Sequence, residues 1–207
     1  MLTKVFRALL PAVVSPVLVV SAAAPAVADE ISTPAIKDST ILRSTVSAAG
    51  CPDLNAYKCT LGRTDTLQAN TGGLAYVRAL IGFQLAVPPS SVTRCTVQLA
   101  AFTKPLHNPV EVTVARAASA QWDEDAVDGE NAPESGKPFT VATAWPHANL
   151  GPIDITPACK RAASDGQFSI YVGVQTGEIE VWSKDSGNPA ILHVTQAQRA
   201  GTAPVAV

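Results

Sequence analysis

The chain has 207 residues, 47% of them hydrophobic and 15% charged, with fifteen basic residues against seventeen acidic ones. That length suits one domain with a full apolar core. The slight acidity, with no cluster of Lys and Arg, excludes nucleic acid as a partner, because phosphate binding requires concentrated positive charge.

Taken in chain order, residues 1–28 come first and read as a secretory signal peptide. Lys4 and Arg7 give a positive start, "ALLPAVVSPVLVV" an apolar core, and "SAAAPAVA" a run of small residues suited to cleavage after Ala28. The core is short and interrupted by Pro11 and Pro16, and no later segment offers another, so no membrane span is expected. Removal of this segment leaves thirteen basic and seventeen acidic residues, a net charge of −4. Residues 29–48 lack sustained periodicity and read as a flexible leader or a cleavable pro-segment, residues 49–196 as the folded domain, and residues 197–207 as a flexible tail.

Four cysteines in such a chain predict two disulfides, for which three connectivities exist. Cys51 and Cys59 flank a short segment and close a local loop, which leaves Cys95 to pair with Cys159. The metal alternative lacks any Cys-x-x-Cys pair or Cys/His cluster.

Inside the domain the dominant period is two. "LAYVRALIGFQL" puts Val77, Ala79, Ile81, Phe83 and Leu85 on one face, and the breaker "VPPSS" follows. "SVTRCTVQLAAF" and "VEVTVARA" alternate in the same way, as do "FSIYVGV", "EIEVW" and "AILHV". Half-buried strands at short spacing, punctuated by Pro and Gly, predict an all-β antiparallel sandwich or barrel. One short helix of about two turns is expected in "DITPACKRAASDG", with Thr156 as N-cap, Pro157 in the first turn and Gly166 beyond the end.

A two-residue turn at Thr176-Gly177 would join the flanking strands as a hairpin. That register sets Val172 against Val181 inside and Tyr171 against Trp182 outside, with Gly173 beside them leaving a shallow gap. A three-residue loop would shift it by one.

Taken together, "RALIGFQL", "VTRCTVQLAAF", "VTVARAASAQWDEDAVDGENAP", "GPIDITPAC" and "VWSKDSGNPAILHVT" resemble, in order, the landmarks of the DNRLRE domain, also classed as carbohydrate-binding module family 96. The resemblance spans about Gly50 to Thr195. It implies a jelly-roll β-sandwich in a secreted or cell-surface protein, and polysaccharide as partner; some members of the family bind acidic polysaccharide such as alginate. Where the family often has a second Trp shortly after Trp122, this chain has Gly129.

The chemistry-bearing residues are few. An opposed Tyr171 and Trp182 would offer aromatic planes to a sugar ring, with Gln175, Glu180 and Lys184 near enough to hydrogen-bond it; the alternative is a cross-strand pair that stabilises the sheet alone. Trp145, beside Pro146 and His147, is a candidate exposed contact, whereas Trp122 belongs to the core or its rim. Arg78 and Arg94 on polar strand faces are the cations for an acidic ligand. Asp123, Asp125 and Asp128 in "WDEDAVDGEN" are candidate ligands for a structural calcium ion, the only cofactor the sequence raises. The segment fails the EF-hand template, since Asp128 stands where glycine is required, and a solvated acidic loop is the simpler reading.

No nucleophile elbow, zinc-protease motif or phosphate loop occurs, and His107, His147 and His193 lie in separate segments. The expected function is that of a non-catalytic, secreted carbohydrate-binding module, monomeric, attached to cell-wall or extracellular polysaccharide. The alternative is a structural or interaction protein of the cell surface or matrix.

Overall fold

The structure is a computed structural model and describes residues 29–44, 51, 56–72 and 75–197. The expected signal peptide and nearly all of the expected tail lie outside the described residues.

Among the described residues, eleven strands and one short α-helix follow one another: β1 (Glu30–Pro34), β2 (Lys37–Arg43), β3 (Thr66–Gly72), β4 (Ala75–Gln84), β5 (Val92–Gln98), β6 (Val110–Ala117), β7 (Ser135–Ala144), β8 (Ile153–Asp154), α1 (Thr156–Cys159), β9 (Gln167–Val174), β10 (Gly177–Trp182) and β11 (Ile191–Gln196). A four-stranded sheet has the order β1-β11-β5-β8, and a seven-stranded sheet the order β10-β3-β4-β9-β6-β7 with β2 also paired to β4. Every pairing is antiparallel. The fold is thus an all-β antiparallel sandwich, one of the two architectures the alternation implies, with one short helix.

The core lies between the two sheets. Ala79, Ile81 and Phe83 from β4, and Leu85 just beyond it, meet Val97 and Leu192 from the smaller sheet, with Val112, Val172 and Val181 in the same cluster. The rings of Phe83 and Phe168 stack at 5.5 Å between centroids across β4 and β9. Both disulfides form as the spacing suggests, Cys51 with Cys59 and Cys95 with Cys159. The second ties α1 to β5 in the core, supporting a helix too short to persist alone.

Three expectations are corrected. First, the segment taken for a leader supplies β1 and β2, so residues 30–43 are built into the sheets rather than hanging from them. β2, "KDSTILR", is buried on both faces, and a strand in that position shows no polar alternation to betray it.

Second, β9 and β10 do not pair with each other. β9 is held by β4 on one side and β6 on the other, while β10 pairs with β3. All but the first residue of β9 are buried, and its backbone groups have partners along both edges, so none remain for a hairpin.

Third, the helix is one turn, and its cap is not Thr156. The Asp154 carboxylate accepts from the Thr156 backbone N–H at 2.8 Å, and the Thr156 hydroxyl accepts from Cys95 N–H at 2.9 Å instead.

Candidate functional site

Part of the outer face of the seven-stranded sheet is covered. Ile41, Leu80, Ala115, Ala117, Val127, Ala132 and Tyr171 form a second apolar cluster there, with Trp122 packed against it. The β6–β7 connection, residues 118–134, lies over this cluster and is fastened by side chains from below. Lys37 Nζ donates to the Ala120 and Trp122 carbonyls at 2.8 and 2.6 Å and stands 4.4 Å from the centre of the Trp122 ring. Trp122 Nε1 donates to Ser169 Oγ at 2.9 Å, and the Asp38 backbone N–H donates to Glu124 Oε1 at 2.6 Å.

This arrangement withdraws Tyr171 from any ligand. It points outward, as strand parity requires, yet it is buried at 3% exposure and its hydroxyl donates to the Pro133 carbonyl at 2.6 Å. Burial also pushes the phenol up to about 12. The gap beside Gly173 is filled too. A Cβ there would stand 3.2 Å from Arg78 Nε. Arg78 lies with its guanidinium 4.0 Å over the Tyr76 ring and donates to Ser135 Oγ at 2.8 Å.

The acidic candidates are not gathered around one point. Asp123 accepts from Asp125 N–H, and Asp128 accepts from the N–H groups of Glu130 and Asn131, so both cap local turns. Asp125 pairs with Arg63 at 2.5 Å, and the hydrogen bond from that guanidinium holds its carboxyl below the usual range.

A different trio, Asp38, Glu124 and Asp185, brings carboxylate oxygens within 4.8 Å of one another. Its carboxylates are already engaged by the protein's own groups. Arg63 reaches Glu124 and Asp185 at 3.0 and 3.4 Å, Lys184 reaches both at 3.3 Å, and the Lys184 N–H donates to Asp38 at 2.8 Å. Lys184 is therefore a member of an internal ion network that clamps the β6–β7 connection to the turn after β10.

The remaining candidates lie on separate surfaces. Arg94 stands on the outer face of the four-stranded sheet, beside a cavity of about 260 Å³ shared with Glu30, Thr96, Pro152, His193 and Thr195. His193 Nδ1 is 3.2 Å from Glu30 Oε1 and 2.8 Å from Ser32 Oγ there. Trp145, 61% exposed, opens the β7–β8 connection, and Trp182, 39% exposed, ends β10.

Trp182 is the candidate with a setting around it. Along β10, Ile179 and Val181 turn into the core, which sends Glu178, Glu180 and Trp182 outward. Their directly paired neighbours on β3 are Asn70, Gln68 and Thr66, so the two strands present a ladder of hydrogen-bonding side chains that ends in an aromatic ring. Alongside runs the β5–β6 connection, and together they enclose a groove of about 570 Å³ lined by Gln68, Asn70, Leu106, His107, Glu178 and Glu180 among others. A volume of that size lies within the range of small-ligand sites.

Sequence reasoning reached Glu180 and Trp182 but passed over Gln68, Asn70 and the β5–β6 connection. The alternation in "TLQANTG" is a strand signal of only seven residues, and "KPLHNP" carries no periodic signal at all. Only the pairing of β3 with β10 assembles them.

Comparison with known proteins accounts for this architecture. The sequence profile of Carbohydrate-binding module family 96 matches residues 56–196. The chain belongs to that family. The module is also similar to an uncharacterized secreted protein of Arthroderma benhamiae, 58% identical over 174 residues, which cover 84% of this chain and 89% of the relative. Among the described residues, no helix of the module is long and apolar enough to cross a membrane.

Proposed function

We propose that this protein is a secreted, non-catalytic module that attaches to cell-wall or extracellular polysaccharide through the exposed face of the β3–β10 ribbon. Membership of a carbohydrate-binding family supports the ligand class, and the secreted relative and two disulfides support the oxidising compartment. The observation that carries the reading is the ladder Thr66, Gln68, Asn70 against Trp182, Glu180, Glu178. A sugar ring has an apolar C–H face and a polar rim. Trp182 supplies an aromatic plane for the first, and the amides and carboxylates supply partners for the second.

Retention of the purified protein on a panel of insoluble and soluble polysaccharides tests this. Binding is expected to at least one glycan, and Trp182→Ala is expected to weaken it by about tenfold or more, the loss of one stacked aromatic contact. Trp145→Ala is expected to leave it unchanged. Absence of retention on every glycan would favour the structural alternative, whereas loss with Trp145→Ala alone would move the site to the β7–β8 connection.

A further inference from the structure

Two acceptor-only side chains, Glu178 and Glu180, line the β3–β10 groove beside the amides of Gln68, Asn70 and Asn108. Glu178 and Glu180 lie two residues apart on one strand face, opposite Asn70 and Gln68. Glu180 is fixed in place: its Oε1 accepts from the Thr103 hydroxyl at 2.5 Å and its Oε2 from Gln68 Nε2 at 3.0 Å. Thr103 N–H also donates to the Glu180 carbonyl at 2.9 Å, which holds the start of the opposite wall against β10. With one N–H of its amide engaged by Glu180, Gln68 keeps its carbonyl oxygen and its second N–H to offer. Glu178 is exposed and makes no ion pair among the described residues. Lys104 is the single lysine or arginine of the lining, set against the two carboxylates of Glu178 and Glu180.

We propose, on the reading that the ribbon binds a glycan, that the groove takes a sugar chain free of carboxylates and discriminates against polyuronates. An ionised carboxylate is acceptor only. The complementary ligand is therefore one that brings donors, the hydroxyls of a neutral hexose chain or the ammonium groups of an amino-sugar chain. A polyuronate would instead set its own acceptors against Glu178 and Glu180, leaving like charges unpaired, and this is how a site rejects a near relative of its ligand. Pre-orientation of Glu180 by Thr103 and Gln68 means that less side-chain freedom is lost when the ligand docks.

Titration calorimetry with three soluble oligosaccharides decides it: a neutral β-glucan, a deacetylated chito-oligosaccharide and an oligouronate. The parent protein is expected to bind one of the first two at least about tenfold more tightly than the third, the equivalent of one charge-assisted hydrogen bond. Glu178→Gln and Glu180→Gln are each expected to weaken that binding by roughly three- to tenfold, and Glu178→Lys to narrow the gap to the oligouronate. Glu178 is exposed, so its variants test the groove even if Glu180→Gln loosens the Thr103 contact.

Preference for the oligouronate, or tight binding of a neutral or amino glycan that ignores both glutamine variants while still depending on Trp182, would overturn the groove chemistry and leave the polysaccharide reading standing. Failure of all three ligands and of the wider panel would overturn both.

Discussion

Gly129 stands where a methyl group has no room: a Cβ would lie 2.1 Å from the Leu42 carbonyl oxygen and 3.0 Å from the Tyr57 ring. Its own N–H donates to the Tyr57 carbonyl at 2.7 Å, so the close approach is what seats the β6–β7 connection on the sheet. Gly129→Ala is expected to destabilise by about 2 kcal/mol or more, read as a lowered urea midpoint at unchanged slope.

Asp38 gives a pH prediction at the same scale. Burial raises its carboxyl from 3.8 to about 6, against the Lys184 N–H that favours the charged form. The folded state thus holds this proton more tightly than the unfolded chain does. The contribution of the group is most favourable below about pH 4, falls as pH rises through the interval to about 6, and stays lost above it. Asp38→Asn does not titrate. Its stability relative to the parent is expected to shift in its favour by on the order of 2–3 kcal/mol between pH 4 and pH 7, measured by urea unfolding at both.

At the scale of elements, the β6–β7 connection behaves as a third layer rather than as a loop. Its acidic run reads from sequence as a solvated segment, and most of its charges do face water. Trp122 reads from sequence as core or rim and does pack on the sheet; what the sequence hides is that Val127 and Ala132 between those charges face it too, because apolar residues scattered through a connection have no period to reveal them. Tyr171→Phe removes the hydrogen bond to Pro133 and is expected to cost about 1 kcal/mol and to speed amide exchange in residues 118–134, with glycan binding unchanged.

The six strands with clean alternation were legible in the sequence, and so were the disulfide pairs and the inward faces of β4 and β9. β2 was not, being buried on both sides, nor was β7, nor were the short β1, β3 and β8. The site was half legible for a related reason. Parity correctly sent Tyr171 and Trp182 outward, but whether an outward residue meets solvent or another layer depends on partners far along the chain.

At the scale of the molecule, the two disulfides restrain the chain unequally. Cys51–Cys59 spans a separation of 8 residues and Cys95–Cys159 one of 64. In the chain-entropy view they contribute about 2.5 and about 4 kcal/mol. Replacing Cys95 and Cys159 together by Ala is expected to lower the unfolding free energy by more than the same change at Cys51 and Cys59, by calorimetry or denaturant titration. The larger effect is reinforced because the lost bridge is also what holds α1 on β5.

The edge strand β1 of the smaller sheet pairs with β11, with Glu30 opposite Thr195 and Ser32 opposite His193. These partners lie far apart in the sequence, so synthesis delivers β1 long before β11. Until β11 has emerged, β1 waits without the strand it pairs with. Completion of the smaller sheet is therefore a late event with an aggregation-sensitive prelude, and folding helpers that shield the nascent β1 should raise the yield more than any that act on the finished product.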